Sequence, residues 1–174
     1  MRQARPSVAL ILLAAFLVLA GSGCEAAPEE QKANFERWYV GWKSTVSRMD
    51  STWNEGVATF VALNRGTITQ DQARQRLSAL RTRLQQLKKD FEDMDAPEGL
   101  SRAHKRALKG ATKDMAEAME LRAQAVKLAL DWFNDPTDIN TTASNRLLKE
   151  GDRLAVQAVA AVVGVGAALD ARME

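Results

Sequence analysis

The sequence predicts an all-α protein: an antiparallel up-down-up-down four-helix bundle that follows a cleaved signal peptide. Three observations carry that expectation. Apolar residues recur at steps of three and four along four long segments, which is the repeat of one helical face. Short breaks at Asn64-Arg65-Gly66, Pro97 and Pro136 separate those segments, and short connections favour antiparallel neighbours. The chain has a single cysteine, so packing rather than a disulfide framework must hold the fold.

The first helix is expected from Glu29 to Leu63, with Phe35, Trp38, Trp42, Val46, Met49, Trp53, Val57 and Phe60 on one stripe. The second has the clearest start. Thr69-Gln70-Asp71-Gln72 reads as a capping box, in which the Thr hydroxyl accepts an orphan N–H and Gln72 reaches back. Ala73, Leu77, Leu80, Leu84, Leu87, Phe91 and Met94 then alternate steps of four and three, a bundle seam. The third helix runs to about Phe133 on a thinner stripe of Leu100, His104, Ala107, Ala111, Met115, Ala118, Ala125, Leu128 and Trp132. The fourth starts near Asp138 or Thr141 and carries Leu147, Leu154, Ala158, Val162, Val165 and Leu169. Folding the chain at Pro97 sets Asp90, Glu92 and Asp93 near Arg102, Lys105 and Arg106, and Arg74, Arg76, Arg81 and Arg83 opposite Asp114, Glu117 and Glu120.

Leu154 to Leu169 has one polar residue, Gln157, in 16. A helix apolar all round is normally buried. Its Gly and Ala residues would also suit an oligomer interface or a helix contact within a membrane.

The N-terminus carries an address. Arg2 and Arg5 precede an apolar run of 13 residues, Val8 to Ala20, and small residues lead into Cys24. These are the marks of a secretory signal, and the run is short of the roughly 20 residues of a spanning helix. On GSGC at 21–24 the segment resembles the bacterial lipoprotein class, although Gly21 stands where leucine is usual. The resemblance implies a thioether between Cys24 and diacylglycerol, cleavage before Cys24, and acylation of its amine, typically with palmitate. Conventional cleavage near Ala26 or Ala27, or an uncleaved anchor, are the alternatives. The expected division is therefore a signal peptide over 1–23, a lipidated tether over 24–28 and a bundle over 29–174. Glu25, rather than Asp, after the cysteine points to the periplasmic face of an outer membrane.

Cleavage changes the charge. Loss of residues 1–23 removes two arginines and no acid, so 24 basic residues fall to 22, level with the 22 acidic ones. A neutral exported domain gives no electrostatic case for nucleic acid.

Few residues invite chemistry. His104 is the only histidine. The expected topology brings it to the same end as Trp38, Trp42, Phe91 and Met94, where Trp38, Trp42 and His104 form a candidate ligand pocket. Tyr39 beside them is a candidate for contact with the membrane surface. Arg102, Lys105, Arg106, Lys109 and Lys113 follow one face, a candidate contact with anionic headgroups or a solvated surface paired to the second helix. Glu117 and Glu120 form ExxE, but a di-metal site in a bundle needs Glu-x-x-His pairs, and no second histidine exists. No cofactor or metal is expected. No nucleophile triad, phosphate loop or haem-attachment CxxCH is present, and no enzymatic activity is expected.

The leading expectation is an anchored envelope lipoprotein whose bundle binds an envelope partner or assists assembly. A small-ligand or metal-sensing module at the Trp38/Trp42/His104 end is the alternative. The architecture is also similar to pilotins, helical lipoproteins that hold a partner's helix in an apolar groove. It shares no motif with them and lacks the disulfide that some of them carry.

Overall fold

The computed structural model describes residues 26–135 and 138–173, with side chains of the last helix described from residue 141 onward. Among the described residues all regular structure is helical, in four elements: α1 (Pro28–Asn64), α2 (Gln70–Glu92), α3 (Arg102–Trp132) and α4 (Asp138–Ala168). The expected signal segment and Cys24 lie outside the described residues.

The ends of the helices follow local chemistry. Pro28 opens α1 with Glu29 and Glu30 in its first turn, where a fixed φ and negative charge both suit a helix N-terminus. The chain leaves α1 through Gly66 at φ 67. The capping box of α2 forms as expected: Gln72 N–H donates to the Thr69 hydroxyl and Thr69 N–H donates to the Gln72 side chain. Ser101 caps α3 by accepting from His104 N–H at 3.2 Å.

Burial tests the expected stripes. Every seam residue of α2 from Ala73 to Phe91 is buried, and Met94 is half-buried. On α1 the expected stripe holds at Phe35, Trp42 and Met49, then changes line. The buried positions beyond Trp42 are Thr45, Met49, Thr52, Gly56 and Thr59, while Val57 and Phe60 are exposed. Two of the buried threonines bond their hydroxyls to their own helix, Thr45 donating to Gly41 O and Thr59 to Glu55 O. That satisfies the polar atom and leaves a thin surface on which the leucines of α2 rest. The fit at Gly56 is tight, because a Cβ there would lie 2.5 Å from Leu80 Cδ2.

Helix α3 packs against both α2 and α4. It therefore buries two lines, and Leu108, Met119, Ala123 and Val126 join the one expected from the sequence. Trp132 of the expected stripe is 40% exposed. Small residues bring α3 and α4 close: a Cβ on Gly151 would meet the carbonyl oxygen of Ala118 at 3.3 Å.

The register of α2 against α3 differs from a fold symmetric about Pro97. Lys88 pairs with Glu120 at 3.1 Å, and Arg74 donates to the carbonyl of Phe133 at 2.9 Å. The reason is the connection. Residues 93–101 carry no helix, and this segment lies beside the start of α1. There Asn34 donates to Glu98 O, Ser101 N–H donates to the Gln31 side chain, and Ala26 N–H donates to Gly99 O. The segment covers α1 where the shorter α2 does not reach. Asp90 of α2 consequently meets Arg48 of α1 at 2.9 Å, and Lys105 of α3 pairs instead with Glu98 of the connection at 2.7 Å.

One face of the apolar α4 run is buried, through Leu154, Ala155, Ala158, Val162 and Val165, whereas Val156, Val159 and Val163 are exposed. The stretch Thr141–Ala168 is long and apolar enough to cross a membrane by length and composition, and 39% of its most apolar window is buried within the protein. Full burial of the run in the bundle is thus not what the fold provides. The end of α4 meets the start of α1, where Tyr39 Oη donates to Met173 O, Arg172 N–H donates to Glu36, and Lys32 pairs with Asp170.

Candidate functional site

An apolar concavity lies away from that junction. Helices α1 and α4 touch where the start of one meets the end of the other, and between their opposite ends an apolar cleft of about 360 Å³ opens over α3. From α1 come Trp53, Phe60, Leu63 and Asn64. The floor is α3, through Ala125, Val126, Leu128, Ala129, Trp132 and Phe133, and α4 closes the far side with Thr141, Ser144, Asn145 and Leu148. The change of buried line on α1 makes the cleft. With Thr52, Gly56 and Thr59 turned to α2, Trp53 and Phe60 are left to form a wall.

Two arginines pack behind aromatic residues of the cleft wall without lining the cleft itself. Arg122 of α3 is 7% exposed. Its guanidinium lies 5.0 Å from the Trp53 ring centroid, a cation–π contact, and its Nη2 donates to Asp152 at 2.8 Å. Nε and Nη1 of the same group are buried with no hydrogen-bond partner. At the other end Arg74 lies over the Phe133 ring at 5.6 Å and bonds the Phe133 carbonyl at the end of α3. Ser144 is the polar residue turned back on the floor, donating to Ala125 O at 3.2 Å. Such a site, apolar walls with a few placed polar groups, is the common form of a small-ligand pocket. It holds no nucleophile paired with a base.

The residues singled out from the sequence fall elsewhere. Trp38 and Trp42 do come together, stacked at 5.5 Å, and Trp42 packs edge-on to Phe91 at 5.3 Å. Trp42 is buried in the core with Phe91 and Leu100. His104 is half-buried at the first turn of α3, and its Nδ1 and the Trp38 Nε1 are buried without partners. Tyr39 stacks on Phe35 at 5.9 Å and reaches the C-terminal segment.

Among the basic run, Lys105 is committed to Glu98, which holds the Glu98 carboxyl below its ordinary value. Lys109 and Lys113 line a surface hollow together with Glu92, Glu117 and Glu120, a face of mixed sign. Arg102 and Arg106 lie on the exposed side of α3. Glu120 accepts from Gln124 and Lys88, and these hydrogen bonds, Gln124 first, hold its carboxyl below the ordinary range. No group of three or more His, Cys, Asp or Glu among the described residues is placed to hold a metal ion.

The cleft and Arg122 were not singled out from the sequence, yet a signal was there. The α3 stripe runs Ala118 to Ala125, and the seam position between them is Arg122. An arginine in an alanine seam is a charge placed where burial is expected.

Compared with known protein families, with curated proteins and with solved structures, the chain matches none.

Proposed function

We propose that this chain is a membrane-tethered, non-enzymatic binding protein of the bacterial envelope, and that its cleft holds an apolar guest. The observation that carries the reading is the cleft itself: Trp53, Phe60, Trp132 and Leu148 on three helices around an open apolar space. In this reading the chain is exported on the 1–23 signal and lipidated at Cys24. The four helices form an up-down-up-down antiparallel bundle, supported by ion pairs that run in opposite order on α1 and α2, Arg48 with Asp90 and Glu55 with Arg83.

The tether gives the bundle an orientation. Ala26 is already bonded to Gly99, so Glu25 alone separates the lipidated residue from the folded body. The joined ends of α1 and α4 then face the bilayer. At 1.5 Å per residue, Trp53 lies roughly 40 Å along α1 from Pro28, so the cleft opens away from the membrane.

The test uses N-phenyl-1-naphthylamine, an uncharged apolar dye. Among the described residues every buried core side chain lies between Phe35 and Val165, so a chain starting at Glu25 keeps that core without the lipid. One dye bound per chain, with fluorescence transfer from tryptophan, is expected. Dye that stays in water at every protein concentration would refute the reading.

A further inference from the structure

We infer that the outward face of α4 is a contact with a second copy of this chain, the two helices running antiparallel about a point between Ala161 and Val162. The inference needs neither the cleft nor the lipid.

The face is apolar and turned away from the bundle. Leu154, Ala158, Val162 and Val165 are buried, and on the opposite side of the helix Val156, Val159 and Val163 are 68%, 40% and 45% exposed. Single exposed valines are ordinary on a protein surface. Three on successive turns, in a stretch without charge from Leu154 to Leu169, make a patch. Ala160, Gly164 and Ala167 stand exposed among them. Gly164 lies inside the helix, where glycine is less stable than alanine, and a Cβ there would meet nothing within 4 Å. Nothing among the described residues of the single chain uses its missing side chain. A neighbouring helix arriving from outside would.

A second copy fits this face in one register. In a two-fold contact, residue i meets j and j meets i. Turned end for end about that point, α4 sets Val156 against Ala167, Val159 against Gly164 and Val163 against Ala160 of the other copy. Each exposed valine then meets a residue small enough to receive it, which is the complementarity that close helix packing requires. The line Arg153, Val156, Ala160, Val163, Ala167 and Asp170 alternates steps of three and four, as a two-helix seam does.

Charge agrees with the same register. Arg153 stands opposite Asp170 at both ends of the contact. Asp170, just past the end of α4, is fully exposed, and its ion pair with Lys32 is long at 3.7 Å. Arg153 is bonded to Glu150 and Gln157 on its own helix, so Asp170 would join a standing pair. Sliding the copies by one heptad sets Arg153 on Val163 or Asp170 on Ala160. A parallel pair sets Arg153 on Arg153 and Asp170 on Asp170, and like charges in contact oppose association. The seam is roughly 25 Å long, a small interface of the size found in weak, exchanging pairs. Copies standing upright on one bilayer run parallel, so the contact joins chains free to turn end for end, as the unlipidated chain is.

The experiment is sedimentation equilibrium on the chain beginning at Glu25, which contains no cysteine. Monomer and dimer in exchange are expected, with dissociation in the micromolar range. Gly164→Leu should weaken the dimer by about tenfold or more, the scale of overpacking at a close contact. In dilute monomer the same change should raise the melting temperature, because leucine is the better helix former and its Cβ enters open space. Loss of the dimer is thereby separated from loss of the fold. On oxidation, Val156→Cys mixed with Ala167→Cys should form an interchain disulfide. Val156→Cys alone should not, because its two copies lie about 16 Å apart along the seam. A chain that stays monomeric at about 1 mM, well above the range of weak pairs, overturns the inference; if that monomer binds phosphatidylglycerol vesicles, lipid is the occupant of the face. A disulfide between two copies of Val156→Cys overturns the antiparallel register. Undiminished dimerisation of Gly164→Leu places the contact elsewhere and overturns the inference as well.

Discussion

The missing side chain of Gly56 is occupied by Leu80, whose Cδ2 lies 2.5 Å from where the glycine's Cβ would stand. Two effects oppose each other there. Alanine is a better helix former than glycine by about 1 kcal/mol, while forcing a methyl group into a packed core costs about 1–3 kcal/mol. Leu80 is 2% exposed and has no solvent side to move into, so Gly56→Ala should lower stability by about 1 kcal/mol. In a Leu80→Ala background the same change should instead stabilise by about 1 kcal/mol, the propensity term alone. A double-mutant cycle in urea measures the reversal of sign.

The start of α2 gives a second prediction. Thr69 and Gln72 satisfy each other's backbone N–H groups. Thr69→Ala should cost about 1 kcal/mol, and Thr69→Asp should cost much less. Chemical denaturation distinguishes the two, and equal losses would show that the cap contributes nothing.

Acid should act on Glu120. Its carboxyl is held below the ordinary value of 4.5 by hydrogen bonds from Gln124 and Lys88. A carboxyl depressed in the folded state contributes stability above its unfolded value and loses it as pH falls through the folded one. Stability supplied by this group is therefore complete at neutral pH and declines below pH 4.5. Because the side chain is 37% exposed, solvent screening keeps the contribution small. Thermal melts of Glu120→Gln between pH 3 and pH 7 should show a flatter acid limb than wild type, with the two converging at low pH.

Anchoring supplies a fourth prediction. Cys24→Ser should move the protein from the membrane to the soluble fraction and abolish labelling by radioactive palmitate in cells. Unchanged membrane association without label would point to an uncleaved N-terminal anchor.

The sequence was most readable where one face of a helix does one job. The leucine seam of α2 packs as its period implied, and the limits of α1 fall within a residue of those expected. Legibility failed where a face is shared or the filler is small. Thr52, Gly56 and Thr59 are the core line of α1, yet no hydropathy pattern marks them, so Val57 and Phe60 looked like its continuation. Helix α3 is buried on two sides, which doubles its apolar lines and blurs a single period. The register against α2 could not be read from Pro97, because residues 93–101 run beside α1 rather than turning back. The cleft depends on all three: it is formed by aromatics that the true core line of α1 leaves over, against an α3 whose second line the period hid.

In the proposed function the space between Trp53, Trp132 and Leu148 holds an apolar guest. Ala129 lines its floor, so Ala129→Trp fills the space without touching the α2 seam. The most direct measurement is a titration of N-phenyl-1-naphthylamine into wild type and Ala129→Trp, with circular dichroism showing both folded. One saturable site is expected in wild type and at least a tenfold loss of affinity in the variant, as steric exclusion from the cleft requires. Equal binding by the two proteins would contradict it, because the dye would then be sitting somewhere other than the cleft.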